Sequence, residues 1–594
     1  MGTTNNQYDA IVIGSGISGG WAAKELCEKG LKTLVLERGR DVVHLKDYPT
    51  ATKQPWEFPH RKGKTLSMET DNPVLNRCYA YNETSEHFFV KDKEHPYVQE
   101  KPYDWIRGYQ VGGKSLLWAR QTQRWSKYDF EGPARDGFGN WPITYDELAP
   151  WYTHVEFFAG ISGNFDKLDT LPDGHFLPAW EMNDVEKKMQ KAIMGKFTDR
   201  NVVQGRCAHL TKPAPIHIEQ GRSQCQARSM CERGCPFGGY FSSNSSTIPW
   251  AQKTGNLTLQ TNAVVHSIIY DEATQKASGV RVIDAITKKA TEYFAKIIFV
   301  NAATLNTNLI LLNSTSKRFP NGLGNDNGLL GKYIAFHNYR GKVSASYDGP
   351  LDSYYYGRRP TQPMMPNFRN VHKQETDFLR GYMTFFGAGR GNADGSTTDG
   401  IGGEYKEAIS EPGGWYVSMM MQGETIPKET NHVRLSTELK DEWGIPQLVT
   451  SIDYDDNDID NNRINLEVSG TESGSNAGAN LFIKTFSDAG SSLNANAFVL
   501  KRDTGYIGVG TDTPLAPIHI NYALGTSNSA LRLVNGSAAN ASNITKIALF
   551  TVNTFGGAEE SASIYAINPN AGTNNGGHLV FGTSAYSTAS TATE

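Results

Sequence analysis

The 594-residue sequence predicts an α/β fold joined to a mostly antiparallel sheet and to a β-rich C-terminal segment. Three observations carry this reading. Near the N-terminus, "YDAIVIGSGISGGWAAKELCEKGLKTLVLERG" (Tyr8 to Gly39) sets an apolar β run, a stretch at helical spacing and a second apolar run in order. That is one βαβ unit, the building block of a parallel sheet. From residue 340 to 455, apolar and polar residues alternate and Tyr, Phe and Met are frequent, as a half-buried antiparallel sheet requires. After Tyr454 the chain changes character. No Trp, Cys or Met follows, and short β runs such as "LFIKTF", "AFVLKR" and "IALFTV" are separated by Asn, Ser, Ala, Thr and Gly.

A chain this long exceeds one hydrophobic core, so two to four domains are expected. The net charge of −4 gives no electrostatic footprint for nucleic acid. No apolar run approaches the roughly 20 residues that span a bilayer. "MGTTNNQ" lacks the basic and apolar regions of a signal peptide, so a cytoplasmic protein without a membrane span is expected. Six cysteines are too few for a disulfide scaffold. Three cluster as Cys225, Cys231 and Cys235, at a spacing that fits no standard zinc pattern. Structural thiols or one disulfide are preferred there to a metal or iron–sulfur site, and no metal is assigned.

The elements follow in order. Gly14, Gly16 and Gly19 form G-x-G-x-x-G between the first strand and the helix, with Ser15, Ile17 and Ser18 completing the turn. Gly14 permits the tight turn, Gly16 the approach of a pyrophosphate, and Gly19 close helix–strand packing. The helix N-terminus offers free N–H groups to the phosphates. Glu37, with Arg38 beside it, ends the second strand 23 positions after Gly14, where a carboxylate accepts hydrogen bonds from an adenosine ribose. The fingerprint therefore predicts a dinucleotide but does not separate FAD from NAD. Residues 40–105 read as loop-rich cover. "WIRGYQVGGKSLLWARQTQRW" places a Gly pair in an apolar, aromatic segment, and a helix capped at Thr144 follows, with Glu147 completing a capping box. Strands with turns at Asp271–Ala277 and Asp284–Lys288 then lead to "KIIFVNAA", which feeds a helix. They predict an antiparallel insertion in the parallel sheet.

With Gly112, Gly113 and Ser115 in one loop, the chain resembles the glucose–methanol–choline (GMC) flavin oxidoreductases. "WPITYDELAPWY", "VNAATLNTNLILLNS" and "NGLGNDNGLLGKYIAFH" resemble further segments of that family in order. The resemblance spans about residues 8–455 and is nearest to bacterial sugar and sugar-acid dehydrogenases. It implies FAD, lying along Gly112, Gly113, Ser115 and Leu116, with adenine at the backbone of Val264 and Val265 and the strand return at Ala302. Some relatives tether the flavin through a His where Leu117 stands, so non-covalent FAD is expected. The implied organisation is an FAD-binding domain at 1–160 and 225–340, and a substrate domain at 161–224 and 341–455. Residues 456–594 form a separate β module. "TGYIGVGTDTPLAPIHI" there resembles a signature of phage tail fibres, which implies possible trimerisation.

The family oxidises CH–OH groups of alcohols, sugars or sugar acids by hydride transfer to flavin, with a base from a C-terminal His segment. Past Tyr454 the only histidines are His519 and His578, neither in that context, and "INPNAG" around Asn568 lacks the flanking pattern. No catalytic residue is assigned, and impaired catalysis is expected. The alternatives are a fibre or adhesion protein with a flavin-fold head, or a composite chain joined near 455/456. His337 is expected to be a packed structural residue, and His60, His95 and His209 surface or capping residues.

Overall fold

Continuous apolar runs make the central strands. The computed structural model describes residues 6–453 apart from 61, 339–340, 351–360, 377 and 393–400; beyond 453 it describes 464–469, 480–486, 492–501, 506–509, 517–520, 544–552, 558–567, 578–584 and 592–593. Strand β1 (Gln7–Ile13) leads through helix α1 (Ile17–Glu28) to β2 (Thr33–Leu36). Later come β3 (Leu257–Gln260), β4 (Ala263–Asp271), β5 (Lys276–Asp284), β6 (Ala290–Val300) and helix α2 (Thr304–Asn313). The sheet order is β3-β2-β1-β6-β5-β4. β3, β2, β1 and β6 run parallel, with Val12 opposite both Val35 and Phe299. β4, β5 and β6 pair antiparallel. Both faces of β1 are covered. Ile11 and Leu34 pack with Val280 on one side, and Ala10, Val12 and Val35 with Ala23, Leu26 and Ile248 on the other. That double cover is why β1 reads as an unbroken apolar run.

The loop-rich stretch 40–105 builds its own cluster from Tyr48, Met68, Leu75, Tyr81 and Phe88, and buries Leu116 and Leu117 against it. The helix Tyr145–Ala159 begins at Thr144, whose hydroxyl accepts from Glu147 N–H while Glu147 accepts from Thr144 N–H.

A second sheet contains β7 (Lys342–Tyr347), β8 (Pro363–Met365), β9 (Tyr382–Asn392) and β10 (Pro412–Glu424). Its order runs β7-β10-β9-β8 and ends on the short strand Val203–Gln204. On the other flank, Ile464–Ser469 pairs parallel with β7 at Ala345↔Val468 and continues antiparallel to Asn480–Phe486 and Ser492–Leu500. A hairpin, β11 (His432–Lys440) with β12 (Pro446–Ser451), pairs in parallel with Val98–Gln99.

The chain divides into two compact units, Met1–Tyr506 and Ile507–Glu594. In the second, Ile507–Val509 pairs parallel with Ile518–Ile520. Four further strands form an antiparallel sheet in the order Ile544–Val552, Ala558–Ile567, His578–Ser584, Ala592–Thr593. The 455/456 junction and Asn568 lie outside the described residues. Among the described residues no helix is long and apolar enough to cross a membrane.

Candidate dinucleotide site

The site starts where β1 ends. Gly14 has φ +97°, and a Cβ there would stand 2.5 Å from Asn301 O. A Cβ on Gly19 would stand 1.9 Å from Gly14 O. Neither position admits another residue. Gly16 differs: a Cβ there meets nothing within 4 Å, so the turn opens onto free space. Gly16 caps α1 without a side-chain bond, and Ile17 and Ser18 are exposed at the helix start. The first N–H groups of the helix are left for a ligand.

Glu37 ends beside this turn. Its carboxylate accepts from Ser15 N–H at 3.1 Å, Ser15 Oγ at 2.5 Å and Gly39 N–H at 3.0 Å. Burial pushes its pKa up, against the pull of those donors. The Ser15 hydroxyl also accepts from Gly112 N–H at 3.1 Å. One side chain therefore ties the Glu37 carboxylate to the second glycine loop. In that loop Gly112 and Gly113 have φ of +89° and +50°, and a Cβ on Gly113 would stand 3.3 Å from Gly16 Cα. Ser115 Oγ donates to Gly112 O and accepts from Ser243 N–H, while Ser243 Oγ donates to Gly16 O at 2.9 Å. The Leu116 carbonyl accepts from Tyr240 OH at 2.8 Å. Ala302 stands two residues past the end of β6, and its Cα lies 3.3 Å from where a Gly14 Cβ would be.

Gly14, Ser15, Gly16, Gly19, Glu37, Gly112, Gly113, Ser115 and Ala302 are thus brought together. The remaining residues lie at the margin. Arg38 points away, ion-paired to Asp441 at 3.5 Å and held between the rings of Tyr109 and Trp443 at 4.8 and 4.9 Å. The side chains of Val264 and Val265 are core residues, but β4 starts against the cradle, with Ala263 N–H donating to Glu37 O at 2.9 Å. Sequence reasoning missed Ser243 and Asn244, which donates to Tyr48 OH at 3.0 Å. The signal was present as "SSNSS": five polar residues, all buried, directly before a helix.

Several expectations are corrected here. His209 is fully buried, because its backbone bridges Tyr240, and burial holds its imidazole well below the usual value. His95 is half-buried and stacks on Trp443, with ring centroids 5.5 Å apart. His337 is exposed, on a two-residue strand opposite Glu424. All six cysteines are free thiols, so the disulfide alternative fails. Burial pushes Cys225 up to about 12 and Cys231 up to about 11, leaving both protonated and unreactive near neutrality.

A dinucleotide fits this cradle. Besides the space over Gly16, Asn301 Oδ1 is buried with no hydrogen-bond partner, and the Asn301 Cβ lies 3.3 Å from where a Gly19 Cβ would be. A ligand hydroxyl would satisfy that acceptor.

Residues 8–337 match the family model described as GMC oxidoreductase. The chain is 27% identical over 486 residues to 2-methyl-1,2-propanediol dehydrogenase of Mycolicibacterium austroafricanum, covering 77% of this chain and 79% of that protein. It is 24% identical over 453 residues to the fructose dehydrogenase large subunit of Gluconobacter japonicus, covering 74% and 78%. Pyridoxine 4-oxidase from Mesorbium loti matches at 14% identity with a TM-score of 0.42, over 74% of this chain and 75% of that one.

Proposed function

This chain belongs to the GMC oxidoreductase family and uses FAD, and from that premise we propose that it oxidises the CH–OH group of a small alcohol, sugar or sugar acid. The observation that carries the reading is the Ser15 hydroxyl, which joins Glu37 to the Gly112 loop and so pre-forms a two-sided cofactor grip. The names of the two curated relatives, a diol dehydrogenase and a fructose dehydrogenase, support the substrate class.

Bound FAD supplies a hydride acceptor. The chain's own residues do the holding. Glu37 would accept from the ribose hydroxyls, and the Gly14–Gly19 turn with the N-terminus of α1 would hold the pyrophosphate. Gly112 and Gly113 would present bare backbone to the ring system. Leu117, buried and apolar, has no nucleophile, so the flavin is held non-covalently. No residue is assigned as the base that takes the hydroxyl proton. His519 and His578 lack the family context, so turnover is slow. The FAD domain is formed by 1–160 and 225–340 and the substrate domain by 161–224 and 341–455. The composition shift and the fibre-like signature favour a second role for 456–594, as a trimerising module.

Purified protein should be yellow and should release all its FAD on denaturation. Anaerobic addition of a 1,2-diol, fructose or gluconate should then bleach the flavin slowly. A colourless protein sinks the reading. Flavin that stays yellow with every alcohol and sugar removes the activity while leaving the cofactor. Sedimentation of the full chain as a monomer removes the trimer.

A further inference from the structure

One buried cation beside the cradle takes no part in it. Arg107 is 5% exposed, and its Nε and Nη2 have no hydrogen-bond partner. Among the described residues no carboxylate forms an ion pair with it. Its guanidinium lies 4.5 Å from the centroid of the Trp105 ring, 5.3 Å from Tyr97 and 6.0 Å from Tyr109. Tyr109 is a shared wall. The Arg38 guanidinium stands 4.8 Å from the same ring, and the His95 ring centroid 5.0 Å from it. Arg38 Nε and His95 Nδ1 are likewise buried and unpartnered. Four unmet nitrogens from three side chains therefore surround one tyrosine. Asp441 pairs with Arg38 at 3.5 Å and, among the described residues, forms no ion pair with Arg107. Aromatic faces offset part of the cost of a buried guanidinium, but they do not satisfy its N–H groups.

We propose that Arg107, Arg38 and His95 form a binding site for a phosphate-type oxyanion. The guanidinium fork matches two oxygens of such a group, and the Nδ1–H tautomer of His95 adds a third donor. The site adjoins the cofactor grip, since a Cβ on Gly39 would stand 1.9 Å from Tyr109 O and Gly39 N–H donates to Glu37. The pyrophosphate of a bound FAD would lie against the Gly14–Gly19 turn, so the oxyanion here is free inorganic phosphate.

The test uses the full chain, as purified with FAD and after reversible removal of FAD, with inorganic phosphate as the probe. Calorimetry gives the phosphate affinity, and flavin fluorescence the FAD affinity. Arg107→Met should weaken phosphate binding at least tenfold, with FAD affinity unchanged and without lowering the melting temperature. Arg107→Lys, which keeps charge but loses the fork, should lose part of that affinity and serves if the Met variant does not fold. Phosphate should bind the FAD-loaded and FAD-free chains alike; phosphate that binds only the FAD-free chain overturns the proposal, because it then occupies the cofactor's own turn. Wild-type phosphate affinity in both variants overturns the proposal, as does wild-type protein that binds no phosphate.

Discussion

At the scale of single residues, Glu37 shows what spacing can reveal. A carboxylate at the end of the second strand was legible from its distance to Gly14 alone. Its partnership with Ser15 was not, because a serine inside a glycine turn carries no periodic signal. The pairing has a pH consequence. Burial raises the folded pKa of Glu37, so in FAD-free protein its ionisation costs stability as pH rises through that folded value. Glu37→Gln sets an amide NH2 against the N–H of Gly39 or Ser15, so it should melt lower than wild type under acid, where Glu37 is protonated, and that deficit should shrink as pH rises to neutrality without FAD. The same change should weaken FAD roughly ten- to hundredfold, as a lost charge-assisted hydrogen bond of about 1.5–3 kcal/mol implies. Calorimetric melts across pH and a flavin titration check both arms. Ala303 makes a second residue-scale case. Its φ of +65° and ψ of 163° place a non-glycine residue in a region that glycine alone populates freely. Ala303→Gly should stabilise the protein by about 1 kcal/mol in a denaturant series.

At the scale of elements, β1, α1 and β2 were readable because each has a period that local sequence displays. The contacts between elements were not. The hairpin β11–β12 reaches the cradle through Asp441 and Trp443 on Arg38, and nothing local marks residues so far apart in sequence as neighbours. "SSNSS" reads as loop until a fold buries it. The seam between the two glycine loops is equally long-range, and Gly39 tests it. A Cβ there would stand 1.9 Å from Tyr109 O and 2.5 Å from Gln110 N, backbone atoms that cannot swing aside. Gly39→Ala should prise the end of β2 from the Gly112 loop, cost about 1–3 kcal/mol as overpacking does, and weaken FAD binding. Gly30→Ala is the control. Its φ is +81° but a Cβ meets nothing within 4 Å, so it should cost stability of about 1 kcal/mol and leave FAD affinity unchanged. Equal FAD affinities in the two variants would mean that the seam does not hold the cofactor.

At the scale of the whole molecule, composition and pairing place the end of the larger unit differently. Composition shifts at Tyr454, yet the compact unit runs to Tyr506. The physical reason is an edge. Without Ile464–Ser469, β7 would present an open row of N–H and C=O groups along Lys342–Tyr347, a template for pairing with another chain. Small polar residues between strands tell a reader that turns are short; they do not tell which sheet a strand completes. The expected outcome separates two truncations. A chain ending after Tyr506 should stay dispersed and bind FAD within twofold of the full protein, because every strand paired with β7 and β10 is kept. A chain ending after Asp453 should retain the βαβ grip but expose the β7 edge, and should move to aggregate in size-exclusion chromatography. If the two truncations elute alike and bind FAD alike, the strands after Tyr454 do not protect the second sheet, and the composition shift is the better boundary.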